Sequence, residues 1–302
     1  MAVTEAGSAQ RREWTLPFPC DPRRTLSVHA RGPRDPAFRV DAAGGVWRTS
    51  LTPDGPATVR VTSGHAVMVA EAWGPGAARL LDTVPGQLGV YDDLDAFDPS
   101  PHAVVARLAK THEEVRIGRT DRVFEALVPA ILEQKVVSIE AHRAWRFLLM
   151  KHGTRAPGPA PDGMRVFPPP SVWRRIPSWD WHKSGIEFVR ARTIMNAAVV
   201  AGRLEEHPEA LETLPGIGPW TSAETRQRAV GDPDAVSVGD YNLPKAVGWV
   251  LAGRESTDDA AMLELLAPFA GQRHRVARLI ELSGGRPPRK GPRMPVRDYR
   301  AF

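Results

Sequence analysis

Residues 214–220 read LPGIGPW, a stretch in which two glycines flank one apolar residue and a proline stands on either side. It follows the short helical segment HPEALET and precedes a second helical segment, TSAETRQRAV. Because glycine tolerates unusual backbone angles and has no side chain, Gly216 and Gly218 predict a tight hairpin whose main chain another molecule can approach. Free N–H groups at the start of the second helix favour an anion such as phosphate.

Two other interpretations of the hairpin have to be weighed. The first is a plain helix–helix turn in which the glycines serve geometry alone. The second is a dinucleotide-binding loop, which the sequence disfavours because Thr221 stands where the third glycine belongs and no strand precedes the motif.

A second motif, AVSVGDYNLPKAVGW, places Asp240 22 residues after Gly218. The apolar spacing that follows predicts a helix from about Leu243, with Asp240 at its N-terminal end, where the helix dipole attracts a negative charge. An aspartate at this position is also explained by a role as a helix N-cap.

The composition excludes several classes of protein. Of 302 residues, 42% are hydrophobic and 25% charged, as in a soluble globular chain. No apolar run is long enough for a membrane span, and the N-terminus lacks the apolar core of a secretory signal, so we expect a cytoplasmic location. Cys20 is the only cysteine, which excludes an internal disulfide, a cysteine-bound zinc site and a four-cysteine iron–sulfur cluster.

The pattern along the chain predicts an α+β fold. Residues 14–68 alternate in hydrophobicity between Gly-Gly and Pro-Asp-Gly turns, which is typical of antiparallel strands. Apolar residues at helical spacing dominate later. We therefore predict four segments: a disordered N-terminus (1–12), a β-containing domain (13–115), a mostly α-helical body (116–283) and a disordered basic tail (284–302). Arginine and lysine in that tail exceed acidic residues by five, which equals the net charge of +5.

The hairpin and aspartate motifs together, LPGIGPWTS and VGDY, strongly resemble the helix-hairpin-helix DNA glycosylases, the HhH-GPD superfamily. The resemblance is closest to the DNA-3-methyladenine glycosylase II branch. It covers most of the chain, because TLPFPCDPRRTL, AILEQKVVS and PFAGQRHRVARLI resemble that branch's N-terminal domain, first long helix and last helix. It implies a two-lobed helical body and a monomeric, nucleoid-associated base excision repair enzyme acting on double-stranded DNA that contains damaged bases.

The reaction that the resemblance implies is hydrolysis of the N-glycosidic bond of alkylated purines of the 3-methyladenine and 7-methylguanine class, leaving an abasic site. Asp240 would stabilise the cationic sugar and serve as general base for water. Trp220, Tyr241 and Phe269 would form a pocket that attracts a cationic base, although core packing also explains Tyr241 and Phe269. Strand-cutting relatives carry a Schiff-base lysine where Trp220 stands, so we expect a monofunctional enzyme.

The resemblance also assigns DNA contacts to the hairpin and to the end of the first long helix. A basic residue at the start of the last helix is expected near backbone phosphates as well, although basic surface residues are common at helix starts. The residues expected to contact DNA are Gly216, Ile217, Gly218, Thr221, Gln134, Lys135 and Arg273. Lys135 departs from the family pattern, so it is a candidate either for the wedge that fills the gap in the duplex or for a phosphate contact.

The backbone carbonyls of Glu212, Leu214 and Ile217 are the implied ligands of a structural Na⁺ or K⁺ ion, and no other cofactor is expected. Glu224 and Val28 occupy positions that are aromatic in some relatives, which predicts a pocket more open or more selective than is usual. The histidines show no metal-binding spacing and are interpreted as structural. Two alternative functions stay open: a catalytically silent DNA-binding protein, and a glycosylase for another lesion such as a deaminated base.

Overall fold

A computed structural model describes residues 8–64, 67–288 and 296. Five strands form an antiparallel sheet in the order β1-β5-β4-β3-β2. They are β1 (Gln10–Thr15), β2 (Phe38–Val40), β3 (Val46–Thr52), β4 (Gly55–Ser63) and β5 (Val67–Trp73). A short helix, α1 (Pro22–Leu26), lies between β1 and β2, and α2 (Ala77–Gln87) follows the sheet.

The core of this N-terminal layer is the contact between one face of the sheet and α2. Val46 of β3 lies opposite Val61 of β4, and Val59 lies opposite Ala72, so alternate side chains point to the same face. Leu81 and its neighbours on α2 pack onto that apolar face. The predicted β-containing domain is therefore present as an antiparallel sheet covered by a helix.

The first strand begins earlier than the sequence pattern indicated. Gln10 and Arg12 pair with Ala72 and Ala70 of β5, so residues 10–12 belong to the sheet although we predicted disorder for 1–12. The edge of β5 offers backbone groups that need partners, and this polar segment supplies them. Residues 1–7 lie outside the described residues.

The rest of the chain is mainly helical. Its helices are α3 (Ala103–Thr111), α4 (Val123–Leu132), α5 (Ser138–His152), α6 (Pro170–Trp173), α7 (Ser178–Ser184), α8 (Phe188–Val199), α9 (Ala201–Glu206), α10 (Pro219–Ala229), α11 (Leu243–Ala252), α12 (Asp259–Leu266) and α13 (Arg273–Ser283). A small hairpin of β6 (Thr154–Arg155) and β7 (Arg165–Val166) lies within the proline-rich connection. The α+β class is confirmed.

The helices form two lobes with separate apolar cores. The first lobe is built from α4 to α9 and includes Leu127, Leu148 and Ile194. The second is built from α3 and α11 to α13 and includes Val247 and Val276. Helix α10 packs mainly on α4 of the first lobe, and its Thr221 and Thr225 are buried.

Helix α3 belongs to the second lobe. The sequence boundary placed 103–111 in the N-terminal domain, yet Val105 and Leu108 are buried among the side chains of α11 and α13. The apolar face of α3 packs against helices that lie more than a hundred residues later in the chain. Local sequence patterns do not reveal contacts of this range. At the other end, Gly284 closes α13 in the left-handed conformation, and 289–295 and 297–302 of the predicted tail lie outside the described residues.

None of the helices in the described part of the chain is long and apolar enough to cross a bilayer.

Candidate active site

The predicted hairpin is present between a 3-10 turn, Pro208–Thr213, and α10. Gly216 has φ +90°, and a Cβ there would lie 2.3 Å from Oγ1 of Thr193. Gly218 has an extended conformation, and a Cβ there would meet no atom within 4 Å. Ile217 between them is 5% exposed and packs into the first lobe. The hairpin is thus anchored by Ile217 and presents open main chain at Gly218.

The loop after α4 is hydrogen-bonded to the hairpin. Nε2 of Gln134 donates to the carbonyl of Gly216 at 2.9 Å and to Oγ1 of Thr221 at 2.8 Å. The next residue, Lys135, is exposed and has φ +54°, a conformation that costs a non-glycine residue about 1–3 kcal/mol. Among the predicted DNA contacts, Gln134 and Thr221 therefore hold the hairpin together, while Gly218 and Lys135 face solvent.

Asp240 lies in the loop between α10 and α11. Its Oδ1 accepts the amide N–H groups of Asn242 at 2.7 Å and Leu243 at 2.8 Å, so the carboxylate caps the start of α11. Its Oδ2 accepts from Nε1 of Trp220 at 3.2 Å. Three donors from two elements fix the orientation of this partly buried carboxylate. The N-cap residue of α11 is Asn242, so Asp240 binds the start of the helix from two residues before the N-cap position.

The three predicted aromatic residues do not come together as a pocket. Trp220 touches Asp240 and is partly buried. Tyr241 is 77% exposed, with Nζ of Lys245 3.3 Å from the centre of its ring. Phe269 is 3% exposed inside the core of the second lobe. Of the two explanations for Phe269, the structure therefore supports core packing.

A polar network runs along α10 from Trp220. Glu224 lies one turn further on the same face. Its Oε1 accepts from Oγ of Ser237 at 2.5 Å, and its Oε2 accepts from Nη1 of Arg228 at 2.8 Å. Nε of Arg228 donates to the carbonyl of Val28 at 3.0 Å, which ties this helix to the N-terminal domain.

Two histidines flank this network. Burial, followed by the charges of Arg48 and Arg228, holds the pKa of His29 well below its usual range. Burial, followed by the charge of Arg228, lowers the pKa of His274 to about 3. Both imidazoles are therefore neutral at physiological pH, and within the described residues neither makes a hydrogen bond.

Arg273 forms an intramolecular ion pair with Asp234. Its Nε donates to Oδ1 of Asp234 at 2.8 Å, and its backbone N–H donates to the same oxygen at 3.0 Å. The hydrogen bond to Asp234 raises the pKa of Arg273, opposed by burial. A groove of about 350 Å³ runs beside this pair, lined also by Glu212 and Arg226. It contains neither Asp240 nor Trp220, so we do not assign the base site to it.

The carbonyls implied as cation ligands lie at the hairpin turn. Leu214 O accepts the N–H of Ile217 at 3.1 Å, so a cation would share this carbonyl with a backbone donor. Within the described residues no cluster of histidine, cysteine and acidic side chains has the arrangement of a metal site.

Sequence reasoning missed the roles of Glu224, Arg228 and Ser237. Trp220, Glu224 and Arg228 are spaced at i, i+4 and i+8, which puts all three on one face of a helix. This spacing could have indicated that Glu224 and Arg228 lie on the same side of α10 as Trp220. The bond from Glu224 to Ser237 joins a helix to a loop and has no sequence signature.

No family model matches the sequence, and no curated protein matches it. Several solved structures, in contrast, are similar to this chain. The 3-methyladenine DNA glycosylase of Archaeoglobus fulgidus superposes with a TM-score of 0.73 at 16% identity, covering 89% of this chain and 96% of that one. The 8-oxoguanine glycosylase/lyase of Clostridium acetobutylicum, in its apo form, superposes with a TM-score of 0.65 at 14% identity, covering 85% and 91%. These similarities confirm the fold that the sequence resemblance implied.

Proposed function

We propose that the protein is a monofunctional DNA glycosylase that hydrolyses the N-glycosidic bond of a damaged base and leaves an abasic site. The observation that carries this proposal is the position of Asp240, oriented by two backbone N–H groups and the indole of Trp220 beside an open helix-hairpin-helix turn. The shared fold with proteins described as DNA glycosylases supports the same class of reaction.

In this mechanism the hairpin holds the DNA backbone through main-chain N–H groups near Gly218 and the start of α10. The target nucleotide leaves the stack, and its sugar lies against Asp240. As the base departs, the deoxyribose becomes cationic, and the fixed carboxylate stabilises that charge without reorganising. Oδ2 of Asp240 then accepts a proton from the water that attacks the sugar.

A lyase reaction is disfavoured by the side chain next to the hairpin. Trp220 stands where the sequence resemblance would place a Schiff-base lysine, and an indole N–H cannot form one. Lys245 lies near Asp240 in the sequence, but its amine packs on the ring of Tyr241 at 3.3 Å. We therefore expect no strand cleavage.

Alkylated purines of the 3-methyladenine and 7-methylguanine class are the lesions that we propose. Such bases carry a positive charge and leave readily, so Asp240 can suffice without a general acid. The similarity of the two sequence motifs to the type II branch supports this class, as does the likeness to the Archaeoglobus fulgidus enzyme. Trp220 supplies an aromatic surface for a cationic base.

The setting that we propose is a monomer acting on double-stranded DNA in the cytoplasm, associated with the nucleoid. The reaction as written requires no cofactor. A Na⁺ or K⁺ ion at the carbonyls of Glu212, Leu214 and Ile217 would stiffen the hairpin. DNA affinity measured in K⁺ and in tetramethylammonium at equal ionic strength tests this, because only the smaller cation can enter such a turn.

The decisive experiment measures free base released from methylated duplex DNA, with strand nicking assayed in parallel. Asp240→Asn keeps the oxygen that caps α11 but loses the negative charge, so base release should fall at least about 100-fold, as when an electrostatic stabiliser is removed. Asp258→Asn is the matched control, because Asp258 caps α12 through the N–H of Ala261 at 2.9 Å without touching the site.

Each outcome separates the candidates. Release by the native protein and by Asp258→Asn, loss in Asp240→Asn and no nicking would support the proposal. Nicking that disappears in Lys245→Met would establish a lyase instead. No release from methylated DNA, with salt-sensitive DNA binding retained, would favour the silent DNA-binding protein or a glycosylase for a deaminated base.

A further inference from the structure

The face of α10 that begins at Trp220 continues into a pair of charged side chains. Trp220, Glu224 and Arg228 follow at intervals of four residues, so Glu224 lies about 6 Å along the helix axis from the residue that touches Asp240. Ser237 connects the same carboxylate to the Asp240 segment, since its carbonyl accepts the N–H of Asp240 at 3.1 Å. Asp240 is thus linked to Glu224 in two ways, through Trp220 on the same helix and through Ser237.

The two charged side chains keep unused hydrogen-bonding capacity. Nη1 and Nε of Arg228 are bonded within the protein, whereas Nη2 has no partner among the described residues. Each oxygen of Glu224 accepts one bond and has a second lone pair free. The side chains are 15% exposed for Glu224 and 17% for Arg228, so both keep some contact with solvent.

A carboxylate beside a guanidinium matches the hydrogen-bonding edge of a guanine-type base better than that of an adenine-type base. A guanine-type edge carries an oxygen acceptor at position 6 and two adjacent donors, N1–H and the 2-amino group. A carboxylate can accept from both donors while Nη2 of an arginine donates to the oxygen. An adenine-type edge offers one donor group and one acceptor and makes one bond fewer.

We infer that Glu224 and Arg228 read the edge of the extruded base and select N7-alkylated guanine over N3-alkylated adenine. The inference rests on the proposed glycosylase function and refines its substrate class. Glu224 accepts from N1–H and the 2-amino group, and Arg228 donates to the oxygen at position 6. Both act as specificity-determining residues, and Asp240 keeps the chemical step.

The charges around the pair suit a cationic base. Burial opposes the charged form of Arg228, but the carboxylates of Glu224 and Glu133 outweigh it and raise the pKa of Arg228. The surroundings of the guanidinium are thus more negative than positive. The neutral state of His29 and His274 removes two charges that would otherwise repel a methylated purine.

The test uses one substrate that contains both lesions. Duplex DNA methylated with dimethyl sulfate holds 7-methylguanine and 3-methyladenine, and chromatography of the released bases gives both rates in one reaction, after subtraction of spontaneous loss without protein. Glu224→Gln is nearly isosteric and can still bond Ser237 and Arg228, but an NH2 group, which donates, replaces one of the two accepting oxygens. Glu206→Gln, on the exposed side of α9, is the matched control.

For Glu224→Gln we expect the ratio of 7-methylguanine to 3-methyladenine release to fall at least about tenfold, the range for a hydrogen bond to a charged group. Ser237→Ala, which loosens Glu224 without removing its charge, should lower the ratio by a smaller factor. A duplex with a single hypoxanthine adds a third substrate: it has the oxygen and N1–H but no 2-amino group, so its release should also depend on Glu224.

The outcomes distinguish this inference from the proposed function. If the native protein releases neither methylated base, the proposed lesion class fails. If it releases both and Glu224→Gln lowers the two rates equally, the glycosylase proposal stands and the reading of the edge is refuted. A native preference for 3-methyladenine that survives in Glu224→Gln would refute it as well.

Discussion

Replacing Gly216 by alanine tests the geometry of the hairpin. With φ at +90°, a residue with a Cβ pays about 1–2 kcal/mol for the backbone conformation. The new methyl would also lie 2.3 Å from Oγ1 and 3.1 Å from Cγ2 of Thr193, a buried side chain. Overpacking of this kind costs about 1–3 kcal/mol. We expect Gly216→Ala to lower the free energy of unfolding by roughly 2–5 kcal/mol.

Urea denaturation, followed by circular dichroism and tryptophan fluorescence, measures this loss. The two contributions separate in a Thr193→Ala background, which removes both Oγ1 and Cγ2. In that background Gly216→Ala should cost only about 1–2 kcal/mol, because the backbone strain remains while the two closest contacts are removed and only Cβ of residue 193, at 3.3 Å, stays near the new methyl. The coupling between the two sites is then the energy of the contact itself.

Gly218→Ala is the matched control for stability and the complementary test of function. Its backbone is extended and its surroundings are open, so the free energy of unfolding should change by less than about 1 kcal/mol. Affinity for duplex DNA should nevertheless fall, because the methyl stands where the phosphate backbone is proposed to approach. Equal stability of Gly216→Ala and the native protein would refute the steric argument, and unchanged DNA affinity in Gly218→Ala would refute the proposed contact.

Two further predictions concern charged groups in the first lobe. Despite burial, which opposes ionisation, Arg31 lowers the pKa of Glu133 to about 2, so this pair stabilises the fold above pH 4.5 and loses its effect as the pH falls toward 2. The stability difference between the native protein and Glu133→Gln should shrink by about 3 kcal/mol across that window in acid titrations of urea unfolding, and a pH-independent difference would contradict the assignment. Glu205 of α9 caps α4 by accepting the N–H groups of Val123 at 2.7 Å and Phe124 at 3.1 Å. Glu205→Gln should therefore cost about 1 kcal/mol, while its exposed neighbour Glu206→Gln should cost nothing measurable in the same denaturation assay.

The parts of the site that sequence could predict are those fixed by short-range chemistry. Gly216 needs a positive φ, and that requirement shows directly as a glycine in a short apolar loop. Asp240 stands immediately before a helix, and its two bonds to the N–H groups of Asn242 and Leu243 follow from that spacing. The alternation of apolar residues in 14–68 likewise follows from the pleat of a half-buried sheet.

The parts that sequence could not predict depend on partners far along the chain. Arg273 was expected near DNA, but Asp234, 39 residues earlier, holds it through its side chain and its backbone. Phe269 was expected in the base pocket, and the structure places it in the 3-10 turn between α12 and α13, buried in the core of the second lobe. In both cases the residue type was compatible with two environments, and only the tertiary arrangement decides between them.

The position of α3 has a consequence for the order in which the protein can be made. Because 103–111 and 273–283 pack in the same core, the whole first lobe is inserted between the two ends of the lobe that carries Asp240. During synthesis on a ribosome, all residues of the first lobe emerge before α13 does. The core of the second lobe cannot be completed until α13 has emerged as well. A shortened chain that begins at residue 116 would contain every motif residue and still expose the surface that Val105 and Leu108 cover. The shortest piece of this protein able to hold Asp240 in place must therefore begin before α3.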